Sequence, residues 1–140
     1  MSEPAFDMHP TATPEVIAER QSLAEQVCRE LRRAGLPVYR GDFSGGPDGR
    51  PGVDVHVEPF IEGGVYADWF ADPELRDAAL DLFAQGIDYS NPPPVVGHHN
   101  TVLRLMQVAL LGILTSAGFE VEEPDPHGHG SMVRVLGLRG

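Results

Sequence analysis

Two helical runs in this chain end in the same way. Leu31-Arg32-Arg33-Ala34-Gly35-Leu36-Pro37-Val38 and Leu114-Thr115-Ser116-Ala117-Gly118-Phe119-Glu120-Val121 each close on Ala-Gly, continue with a large apolar residue and begin a strand. Glycine just past a helix takes the left-handed conformation that stops it, and the apolar residue beyond packs back on the last turn. The same offset pairs Leu23 with Met106, Val27 with Leu110 and Cys28 with Leu111. Each copy then crosses a Gly/Pro/Asp-rich segment into a further apolar stretch, Val53–Val57 or Met132–Leu136. The repeated helix–strand–strand pattern sets a mixed α and β architecture. It is compatible with an internal αββ duplication and equally with two solutions to one packing problem.

The remaining elements follow from local signals. Residues 1–12 mix Pro, small and polar residues without period and read as a loose N-terminal arm, leaving 13–140 as a single domain. Thr13 offers a cap oxygen, Pro14 suits the first helical position, and Val16, Leu23, Val27, Leu31 and Ala34 form a stripe at helical spacing. Val38–Phe43 and Val53–Val57 read as strands separated by SGGPDGRPG, a segment rich enough in Gly and Pro to reverse the chain. Val65–Phe70 is a third strand. Asp72-Pro73-Glu74 opens a second helix that Gly86 stops. Three consecutive prolines, Pro92 to Pro94, read as a stiff spacer, with Asn100 or Thr101 capping a last helix over Val102–Ala117. Phe119–Glu123 and Met132–Leu138 complete a hairpin. The order α-β-β-(β)-α-α-β-β predicts an α+β fold: a largely antiparallel sheet of four or five strands with three helices packed on one face.

Charge and cysteine usage narrow the function classes. The chain carries 21 acidic against 10 basic residues, a net charge of −11, which repels nucleic acid and anionic membranes and welcomes a basic partner. All the basic residues are arginine, as the codon bias of a GC-rich genome such as an actinobacterial one would produce. A single cysteine, Cys28, rules out an intrachain disulfide and suits a reducing cytoplasm, and its place on the apolar side of a helix reads as an inert buried thiol. No basic-then-apolar leader opens the sequence. The apolar run Val102–Leu114 carries Arg104 and Gln107 and falls short of the roughly 20 residues a bilayer requires.

Three features carry functional expectations. The last helix is apolar around its whole circumference, so it is either covered on nearly all sides within the chain or leaves one side for a second copy, making a homodimer. Between Asp54 and Asp88, nine acids face a single arginine, Arg76, and aromatic residues are interleaved with them. Tyr66, Asp68, Trp69, Asp72, Asp77 and Asp81 are therefore the expected docking surface for a basic protein or peptide, with charge steering the encounter and aromatics anchoring it. In size, acidity and element order the chain is similar to secretion chaperones and immunity proteins, a likeness that no motif carries.

The alternative reading uses the histidines. His98 and His99 precede the last helix, His127 and His129 lie in the final turn, and such imidazoles with a nearby carboxylate suit zinc or another divalent transition metal. His56 lies on the wet side of its strand. Catalytic templates do not fit: Gly45-Gly46 lacks the following Lys-bearing helix of a phosphate loop, and Ser44, Ser90 and Ser131 stand in no nucleophile elbow. The expectation is a non-catalytic binding protein without a cofactor. The metal reading predicts a zinc-dependent rise in thermal midpoint that disappears in a His127→Ala/His129→Ala variant.

Overall fold

Alternation of valine with polar residues builds the centre of the molecule. The computed structural model describes residues 10–41, 50–88, 90–123 and 132–139. Its elements run α1 (Pro14–Arg33), β1 (Val38–Arg40), β2 (Gly52–Val57), β3 (Val65–Phe70), α2 (Pro73–Ala84), α3 (Pro94–Ser116), β4 (Phe119–Glu122) and β5 (Val133–Leu138). The strands form one five-stranded sheet in the order β1-β2-β3-β5-β4. Val53, Val55 and Val57 of β2, Val65 and Ala67 of β3, and Val133 and Val135 of β5 are buried on one side of it. Ala24, Val27, Cys28 and Leu31 of α1, together with Leu110 and Leu114 of α3, close over these residues in one continuous core. Helix α1 packs on β1, β2 and β3, while α3 packs on β3, β4 and β5. Two helices side by side thus cover five strands, and each fully buried Val or Leu stabilises by roughly 1.5–3 kcal/mol. The third helix, α2, packs against α3.

The sheet is mixed rather than largely antiparallel. β1 pairs with β2 in parallel, Val38 opposite Val53 and Arg40 opposite Val55, whereas β2–β3, β3–β5 and β4–β5 are antiparallel. The segment after β1 was expected to reverse the chain. Apolar alternation reports which side of a strand is buried and carries no information on strand direction. The two helix–strand–strand units therefore differ in how their strands pair. Their shared part is the helix stop: Gly35 and Gly118 have φ of 99° and 100°, following Ala34 and Ala117 in nearly identical right-handed conformations. Gly35 N–H donates to Arg32 O at 2.9 Å and Gly118 N–H to Thr115 O at 3.1 Å.

Two boundaries differ from expectation. α3 begins at Pro94, eight residues before Val102, because proline lacks only a donor that the first helical turn leaves unused. Thr101 is consequently inside the helix, its hydroxyl donating to Gly97 O at 2.9 Å rather than capping. Pro10–Ala12, assigned from sequence to the arm, is bonded to the turn after β2: Ala12 N–H donates to Pro59 O at 2.8 Å and Ile61 N–H to Pro10 O at 2.9 Å. Arg20 of α1 fastens the same turn, its guanidinium donating to the carbonyls of Glu58 (2.7 Å), Phe60 (2.6 Å) and Ile61 (3.1 Å). Thr13 caps α1 as expected, accepting from Val16 N–H at 3.3 Å. Among the described residues no helix is long and apolar enough to cross a membrane.

The positive φ at Gly118 meets open space, so a methyl group there encounters strain and no clash. Gly118→Ala is expected to lower stability by roughly 1–2 kcal/mol through the left-handed conformation alone, read as a lower urea midpoint with an unchanged slope.

Candidate functional site

The alternation that buries valines on one side of β2 sends Asp54 and His56 to the other, with Glu58 following just beyond the strand. Antiparallel pairing with β3 sets Asp54 opposite Asp68 and His56 opposite Tyr66, so four polar or aromatic side chains share the face turned away from α1 and α3. β5 adds Arg134 opposite Tyr66, and β4 adds Glu122 opposite Arg134. Tyr39 of β1 lies level with Asp54.

At the centre is His56. Its Nδ1 lies 3.1 Å from Asp54 Oδ2, its Nε2 3.7 Å from Glu58 Oε2, and its ring stacks on Tyr66 with centroids 5.6 Å apart. The hydrogen bond to Asp54 raises the imidazole pKa, burial opposes it, and the negative charges of Asp54, Glu58 and Asp68 add to the rise. Asp54 itself is buried, and its second oxygen, Oδ1, has no hydrogen-bond partner among the described residues. Gly41 lies so close that a Cβ there would sit 1.9 Å from that oxygen, which leaves no room for a side chain. On the far side, the Arg134 guanidinium stands 6.0 Å from the Tyr66 ring, donates to Gly63 O at 3.0 Å and pairs with Glu122 at 3.6 Å. Arg50 stands 5.3 Å over the Tyr39 ring.

The residues expected to dock a partner are distributed over three places. Tyr66 and Asp68 are on the polar sheet face. Trp69, one residue on, turns to the opposite side and packs against the core. Asp72 caps α2, accepting from Glu74 N–H at 2.9 Å, and Asp77 and Asp81 are exposed along α2. Asp54, Glu58 and Glu122 join the sheet-face group. The alternation around Val133 and Val135 marks Arg134 as outward in sequence, yet only the β3–β5 pairing brings it to Tyr66.

The histidines of the metal reading do not converge among the described residues. His98 is exposed and His99 buried on α3, since consecutive helical residues point about 100° apart. Burial, then the charges of Arg76 and His98, lowers the His99 pKa and favours its neutral form. His127 and His129 lie outside the described residues. No group of three His, Cys, Asp or Glu able to hold a metal occurs among the described residues. Ser90 donates its hydroxyl to Asp88 Oδ1 at 2.6 Å in a local turn, and Cys28 is buried in the core. No protein-family model, curated protein or solved structure matches the chain.

His56 has a pKa above 6.5 in the fold, so its interactions stabilise fully below about pH 6.5 and fade as pH rises through the folded value. The stability advantage of the wild-type chain over His56→Gln, from urea midpoints, is expected to be full below about pH 6.5 and to shrink as pH rises above it. An imidazole NMR titration with a midpoint at or below 6.5 contradicts this assignment.

Proposed function

We propose that this chain is a non-catalytic docking protein that receives a basic protein or peptide segment on the polar face of its sheet. The observation that carries the reading is the convergence of Asp54, Glu58, Asp68 and Glu122 around Tyr66 on the side of the sheet away from α1 and α3. Acids outnumber bases there, around the buried ring of Tyr66. A guanidinium or ammonium from a partner gains charge-assisted hydrogen bonds from carboxylates on a rigid strand scaffold. Asp77 and Asp81 on α2 act at longer range, raising the encounter rate of a positively charged segment.

The assignment has a direct test. An arginine-rich peptide titrated into the isotopically labelled chain is expected to shift amide resonances of β2, β3 and β5 first. Glu58→Lys/Asp68→Lys should weaken the peptide by about tenfold, roughly 1.4 kcal/mol. Asp77→Lys/Asp81→Lys, away from the sheet face, should slow association and leave dissociation nearly unchanged. Equal losses of affinity from both pairs, or shifts spread evenly over all acidic surfaces, would show that the peptide reads net charge alone.

A further inference from the structure

Helix α3 leaves one side uncovered. Leu105 and Val108 are each 61% exposed on the side opposite the buried residues Val96, His99 and Leu110. Thr101, Leu105, Val108, Gly112 and Thr115 follow one another at steps of four and three, the spacing of a seam that faces another helix. At Gly112 an added Cβ would meet nothing within 4 Å, so no close approach among the described residues calls for glycine there. An outward glycine in mid-helix weakens the helix unless another surface approaches closely there.

Charge identifies what covers this seam. From Pro94 to Ser116 the helix contains no Asp or Glu, in a chain that holds 21 of them. A basic segment finds no carboxylate on α3. The other exposed large hydrophobics all have acids beside them: Phe60 and Ile61 lie between Glu58 and Glu62, Leu80 between Asp77 and Asp81, and Leu136 and Leu138 on the strand paired to Glu120 and Glu122. Two copies of net charge −11 repel across most of their surfaces, and this acid-free seam, with the exposed Arg104 at its margin, is where they meet at least cost. The seam is also self-complementary. About a point between Met106 and Gln107, Leu105 maps onto Val108, Thr101 onto Gly112 and His98 onto Thr115. A twofold axis at that point sets large residues against each other at the centre, and glycine against threonine at the ends.

We infer that the chain forms a twofold-symmetric homodimer through antiparallel pairing of α3 with its copy, Leu105 of one protomer against Val108 of the other. The dimer places the two acidic sheet faces outward and leaves them free for docking. It rests on residues that the docking reading does not use, so failure of one leaves the other standing.

Sedimentation equilibrium of the full chain across the micromolar range is expected to show twice the chain mass. Added salt should preserve or tighten the dimer by screening its like charges, whereas it weakens capture of a basic peptide. Leu105→Glu/Val108→Glu should raise the dimer dissociation constant by at least about tenfold with the far-ultraviolet circular dichroism of the wild type. Gly112→Ala should weaken the dimer while raising the unfolding midpoint of that monomeric variant when added to it. On oxidation, an equimolar mixture of Leu105→Cys and Val108→Cys chains should cross-link to a greater extent than either alone, which fixes the antiparallel register. A wild-type monomer throughout the concentration range, or a dimer indifferent to Leu105→Glu/Val108→Glu, overturns the inference.

Discussion

One-sided burial of the valine sheet is the constraint on which the rest of the molecule depends. Val53, Val55, Val65, Ala67, Val133 and Val135 must all leave water together, and α1 and α3 divide that surface between them. Because side chains alternate along a strand, burying these residues obliges Asp54, His56, Tyr66, Asp68 and Arg134 to gather on the reverse face. The acidic face is thus a by-product of the core's geometry. Its position cannot change without a register slip that would carry every valine into water.

That face also shows how the fold manages its own charge. Asp54 and Asp68 stand opposite each other across β2 and β3, an arrangement that like charges disfavour. His56, bonded to Asp54 and facing Glu58, places a positive charge among them once protonated. Arg134 does the same from β5, between Tyr66 and Glu122. Gly41 lies against the inner oxygen of Asp54, which is buried and has no hydrogen-bond partner among the described residues. An oxygen left without a partner in a buried position costs of the order of 1–3 kcal/mol.

Legibility of the fold follows the range of the interactions involved. The caps at Thr13, Asp72, Gly35 and Gly118 depend on residues two or three apart, so each could be read directly. The span of β3 could be read as well, being bounded by Gly63-Gly64 and Asp72-Pro73. Helix α3 was misplaced at its start because three prolines resemble a break, while Pro94 at the first helical position is an acceptable beginning. Within the site, alternation alone assigned His56 to the wet side. The grouping of Tyr66 and Asp68 with Trp69 treated neighbours in sequence as neighbours on a surface, and the pleat of β3 separates them.

Local signals in the chain settle the element types, the buried face of β2, the two matching helix stops and the acid-free character of α3. These depend on dihedral preferences and periodicity, which act over a turn or two of chain. Only the tertiary structure decided that β1 runs parallel to β2, that β5 inserts between β3 and β4, and that Arg134 therefore meets Tyr66. It also decided which side of α3 stays exposed. An all-round apolar helix has no intrinsic inner face, and its exposed row is defined by where the sheet, α1 and α2 happen to be, through contacts between residues far apart in the chain.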